Sequence, residues 1–92
     1  MKRAFGAKNA AKLGQRLFEL QAAESLQEIS YHPPARCHEL TGKQVGQFSV
    51  DLEHPCRLLF VPVDNPVPRL KNGGIDRSSV REIEIIDIKD TH

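Results

Sequence analysis

From about Ala7 to Glu24 the apolar positions recur at steps of three and four. Leu13, Leu17 and Leu20 fall on one stripe. The stretch is rich in Ala, Leu, Lys and Gln, which lose little freedom on entering a helix. A helix is therefore predicted here. Lys8, Lys12 and Arg16 step by four beside the stripe and would form a basic ridge along it. Ser25-Leu26-Gln27-Glu28 fits the capping box, in which Ser25 caps free amides and Glu28 reaches back to the cap. A second, short helix is predicted from Leu26. Pro33-Pro34 ends helical structure.

After Pro34 the period changes to two. Arg36–Leu40 reads as a short strand, and the turn signals Thr41-Gly42-Lys43 and Val45-Gly46 follow it. In Gln47–Glu53, Phe48, Val50 and Leu52 alternate with Gln47, Ser49, Asp51 and Glu53, so one face is apolar. His54-Pro55 interrupts, and Arg57–Val63 is the next strand. Its apolar residues fall on both faces, which predicts a central position or a face covered by helix. Asp64–Ser79 is a long loop with Asn65-Pro66, Pro68 and Asn72-Gly73-Gly74. Val80–Lys89 is the last strand. Ile83 and Ile85 share one parity and Ile86 and Ile88 the other. That change of phase predicts a bulge near Ile85-Ile86, or cover on both faces.

Helices followed by consecutive strands give an α+β class, and short strand connections favour antiparallel pairing. The expected architecture is N-terminal helices packed on one face of a small antiparallel sheet, with the other face left for function. The 92 residues make a single domain, 1–92. A chain this short buries a modest core, so a homodimer or another partner is compatible with its size.

Charge adds a pattern that the net value of +1 conceals. Met1–Arg16 carries +5, Leu17–His54 −4, Pro55–Arg81 +3 and Glu82–His92 −3. A basic helix and a basic middle are compatible with a polyanion such as RNA, and equally with solvated surface charge. No apolar run approaches a membrane span, and the start lacks the apolar core of a signal peptide. Two cysteines, Cys37 and Cys56, make no disulfide framework. A reduced cytosolic protein with no membrane partner is expected.

Cys37, His38, His54, Cys56 and His92 are metal-ligand types, but adjacent Cys37 and His38 would face opposite ways on a strand, and the usual ligand spacings are missing. No metal and no cofactor are expected. The basic set Arg36, His38, Lys43, His54, Arg57 and His92 is more suggestive, since all lie on or beside predicted strands. RNA cleavage needs a base for the 2′-hydroxyl, a cation for the charge developing on phosphate, and an acid for the leaving 5′-oxygen. Histidine exchanges protons near neutral pH, and arginine can hold two phosphate oxygens. The plain alternative is that Arg57 only pairs with Asp51 or Glu53.

The strings "ARCHELTG", "GQFSVDLEHPCRLLF", "PVPRLKNGGID" and "IEIIDIKDTH" together resemble the RelE/ParE superfamily of toxin–antitoxin toxins. The nearest branch is the plasmid maintenance system killer proteins, or HigB-like toxins. "FGAKNAAKLGQRLFELQAAESL" is similar to that branch's helical region, so the resemblance spans nearly the whole chain. It implies a RelE-like α+β toxin masked by a cognate helix-turn-helix antitoxin. RelE- and HigB-like members cut mRNA in the ribosomal A site, making ribosome and mRNA the implied partners. ParE-like members poison gyrase. By resemblance Arg57, His54 and His92 are catalytic, and His38, Lys43, Gln47 and Asp90 are RNA-binding; Arg36, from the basic set, is expected to bind RNA beside them.

The chain also departs from the branch. Asp90-Thr91-His92 stands where Asp-Tyr-His is usual, and Thr91 cannot stack on a base. The turn Gly42-Lys43-Gln44-Val45-Gly46 is thin in phosphate-binding charge. Cys56 and Arg77 stand where tyrosine and tryptophan are common. The family's first strand, before the position of Phe5-Gly6, is missing, which would expose a sheet edge. These departures point to a weakened or inactive toxin, and they keep a non-catalytic reading open: an antitoxin-titrating decoy or a ParE-like gyrase poison.

Overall fold

The computed structural model describes residues 7–42 and 46–90. Helix α1 spans Ala7–Ala22. A single 3-10 turn follows at Leu26–Glu28. Among the described residues there are four strands, β1 (His38–Glu39), β2 (Phe48–Asp51), β3 (Cys56–Pro62) and β4 (Ile83–Asp90), and a second 3-10 turn at Arg77–Ser79 precedes β4. They form one antiparallel sheet in the order β1-β2-β3-β4. The α+β expectation holds, with one α-helix against the sheet where two helices were expected.

Ser25 offers no side-chain cap, and Glu28 Oε1 instead accepts the Glu24 amide at 3.2 Å. The Leu26 amide donates across the fold to the Val80 carbonyl at 2.9 Å, while Leu26 and Ile29 are buried. A short second helix does start at Leu26, as a single 3-10 turn held by this tertiary anchor in place of the expected cap.

The alternation in the second half sets the sheet faces. Phe48 lies opposite Phe60 and Val50 opposite Leu58, and all four are buried in the core with Cys37, Leu52, Ile75 and Val80. The Phe48 and Phe60 rings stack with centroids 5.9 Å apart, and the Arg77 guanidinium sits 5.0 Å over the Phe48 ring. Strand β3 is an inner strand, beside β2 and β4, as its two-sided apolar pattern predicts. On β4, Leu59 pairs with Asp87 and the next residue, Phe60, pairs with Ile85. Ile86 is thus the extra residue of a bulge, at the place where the isoleucines change phase.

The face that α1 buries is rotated from the one expected. Leu13, Leu20 and Ala23 pack on the core, but Leu17 and Phe18 are exposed. Arg16 takes the inward position and is only 2% exposed. Its Nε donates to the Asp51 carbonyl at 2.9 Å, and its Nη1 donates to both oxygens of the Glu19 carboxylate, at 3.1 and 3.0 Å. The buried stripe therefore runs Leu13, Arg16, Leu20, Ala23. The basic ridge is not an open one: Arg16 is consumed by the fold, and Lys12 lies 3.7 Å from Glu53.

Candidate functional site

Strands β2 and β3 are joined by the tight turn Leu52–Pro55, closed by the Leu52 amide on the Cys56 carbonyl at 3.0 Å and the Cys56 amide on the Glu53 carbonyl at 2.8 Å. Helix α1 grips this turn with polar side chains. Asn9 Oδ1 accepts the Glu53 amide at 2.8 Å, and Asn9 Nδ2 donates to Cys56 Sγ at 3.6 Å. Arg16 holds the Asp51 carbonyl one residue before the turn. Three contacts from one helix thus fix the position of a loop that would otherwise fray.

Beside the turn lies a pocket of about 300 Å³ lined by Arg36, Asp51, Leu52, His54, Pro55, Cys56 and Arg57. Asp51 and Arg57 are cross-strand neighbours on the face turned away from the core. Asp51 stands between two guanidinium groups: Arg57 Nε is 3.6 Å from Oδ1 and Arg36 Nε is 3.4 Å from Oδ2. Arg57 is 29% exposed and Arg36 51%, so both cations also reach solvent. Arg36 has φ of +49°, left-handed backbone that costs a non-glycine residue roughly 1 kcal/mol. Arg36 lines the pocket beside the buried Cys37 position, and its amide donates to His32 O at 3.0 Å.

Asp51 Oδ1 is shielded from solvent and has no hydrogen-bond partner among the described residues. Its charge is balanced by ion pairs at the long end of the range. Two arginines beside one carboxylate leave the charged side chains of the pocket net positive.

Of the expected site residues, Arg36, His54 and Arg57 come together in this pocket. His38 is adjacent: its Nδ1 lies 3.1 Å from the Arg36 carbonyl, and it pairs in register with Ser49. Gln47 sits one residue before β2, on the far side of Ser49 from Asp51, and its carbonyl takes the Leu40 amide at 2.8 Å. It belongs to the same sheet surface but not to the pocket. The backbone of Asp90 pairs with Cys56 and Lys89 with Arg57, so the end of β4 lies against the pocket-bearing end of β3. Lys43 and His92 lie outside the described residues, as do the residues before Ala7, where the start of the chain was expected to be shortened.

The two thiols separate. Cys37 is fully buried and its amide donates to Ser30 O at 2.9 Å. Burial pushes its thiol up to about 11, with the Arg77 charge opposing that shift. Cys56 is half-buried at the pocket. No three His, Cys, Asp or Glu side chains gather tightly enough for a metal ion among the described residues. No family model matches the chain, and neither a curated protein nor a solved structure matches it.

Asn9 and Arg16 are the supporting residues that sequence reasoning did not find. Their signal is weak, since each acts on a partner more than thirty positions away. Asp51 was legible: alternation places it on the Arg57 face, and the pairing considered for Arg57 is the one observed.

Proposed function

We propose that the chain is the toxin of a type II toxin–antitoxin pair, a ribosome-dependent mRNA endonuclease of RelE and HigB type acting in the cytoplasm. The observation that carries this reading is the pocket in which Arg36, Arg57 and His54 converge. The killer-toxin motifs quoted above support it, and "LEHPCRLLF" is the motif that contributes most of the pocket.

RNA cleavage by this set proceeds through attack of a ribose 2′-oxygen on the adjacent phosphorus. The P–O5′ bond breaks, a 2′,3′-cyclic phosphate forms, and the 5′-oxygen leaves as a hydroxyl. Arg57 and Arg36 supply fixed positive charge to the phosphoryl oxygens, whose charge grows in the transition state. In this reading His54 accepts the 2′-proton and His92 donates a proton to the leaving 5′-oxygen. Gln47, His38 and Lys43 would guide the strand over the sheet face, with Asp90 at its end. The ribosome presents the substrate and no cofactor is needed.

The Asp51 bridge favours a second reading. A carboxylate already paired with Arg36 and Arg57 lowers the charge offered to phosphate, as in a weakened toxin or a binder that only titrates antitoxin. A translation extract with intact ribosomes separates the two. The endonuclease reading expects in-frame cuts in a reporter mRNA, reduced at least a hundredfold in Arg57→Ala, since losing one oxyanion donor costs about 10²–10³ in rate. No cuts at any protein concentration would favour the binder.

A further inference from the structure

We infer that the outer edge of β4 pairs with β4 of a second copy, joining two sheets across a two-fold axis between Ile86 and Asp87. This inference is independent of the chemistry proposed for the pocket. Among the described residues the two edges of the sheet are unequal. Strand β1 is two residues long, whereas β4 has eight and comes last in the strand order. A long edge with apolar side chains is a template for another strand. Ile85, Ile86 and Ile88 are 41%, 43% and 40% exposed along it. The Ile88 amide finds its acceptor in the side chain of its own neighbour, Asp87 Oδ1, at 2.8 Å.

The strand's own pattern says what covers this edge. Ile85 and Ile88 lie opposite Phe60 and Leu58, on the core face, while Glu84 and Lys89 lie opposite Val61 and Arg57, on the other. Antiparallel self-pairing about the Ile86–Asp87 midpoint sets Ile85 against Ile88 and Glu84 against Lys89, each twice. The Ile85–Ile88 and Glu84–Lys89 pairs match apolar with apolar on one face and acid with base on the other, both favourable cross-strand pairs, while Ile86 meets Asp87 at the axis itself. Neighbouring registers lose this. Centring on Ile86 sets Glu84 against Ile88 and Asp87 against Ile85. Centring on Asp87 opposes that carboxylate to its own copy, and moving the axis between Ile85 and Ile86 sets Glu84 against Asp87. The complementarity is to the strand itself, as an isologous two-fold interface requires, and small domains commonly extend a limited core this way.

The test is light scattering of the full chain from micromolar to millimolar concentration, with circular dichroism to verify folding. Wild type is expected to be a dimer. Lys89→Glu and Glu84→Lys each place like charges across the axis and should raise the dimer dissociation constant at least tenfold. The double reversal restores the pair in this register alone and should return the constant to within about threefold of wild type. Ile85→Lys, at an exposed position, should give a folded monomer. A wild type that stays monomeric throughout overturns the proposal, as does a dimer indifferent to the single reversals or not rescued by the double one. Open-ended assembly overturns the two-fold closure.

Discussion

The turn between β2 and β3 and the outer edge of β4 belong to the same sheet but are built differently. The turn is short, polar and held from three sides: Asn9 and Arg16 fasten it to α1, and its own amides close it. The edge is long and apolar, with a strand on one side only among the described residues. The pinned region gathers charge into a pocket of defined shape, as preorganised chemistry needs. The open region offers main-chain groups and isoleucines in a repeating row, as strand addition needs. A buried arginine makes the difference, because it converts a loop into a fixed platform.

The strongest way to break the contrast is to unfold the strand that both regions share. Phe60→Ala removes a fully buried ring from β3 and should cost about 3–5 kcal/mol. Urea denaturation should show most of the stability gone, with pocket and edge lost in one transition. Arg16→Met probes the pinned region alone. It leaves the Asp51 carbonyl without its donor and should cost about 2 kcal/mol. Hydrogen exchange should then speed at Glu53 and Cys56 while the β3–β4 ladder keeps its protection. Equal acceleration on both sides of the sheet would deny the turn its special support.

A smaller effect reads the core beneath the two regions. The Cys37 thiol titrates near 11 in the fold, against about 9 when unfolded. Below the unfolded value both states hold the proton and the full stability is present. Between about pH 9 and 11 the unfolded chain alone loses it, so stability should fall by about 1.4 kcal/mol per pH unit from this group. Cys37→Ala should flatten that slope in a series of urea melts. Cys56, half-exposed at the pocket, should take up a thiol reagent at neutral pH well before Cys37 does.

Much of this was readable from local pattern. Period-two alternation over Phe48, Val50 and Leu52 fixed which face of β2 is core, and the phase change at Ile85-Ile86 located the bulge. Proximity of Arg57 and His54 followed from a three-residue spacing across a turn. What was not readable was long-range. Arg16 looked like part of a solvated ridge, because its acceptor is a carbonyl 35 positions away. The capping box at Ser25 was locally sound and lost to the Leu26 bond with Val80. Expected strands Arg36–Leu40 and Val80–Lys89 shortened to His38–Glu39 and Ile83–Asp90 for the same reason: Cys37 and Val80 bond to segments outside the sheet.

The central claim is that Arg57 faces phosphate and drives toxicity despite its pair with Asp51. Induced expression of the chain alone in bacteria, beside Arg57→Ala at matched protein level, tests it most directly. Growth arrest with the wild type and normal growth with the variant is the result expected. Equal growth, or equal arrest, in both cultures would contradict it.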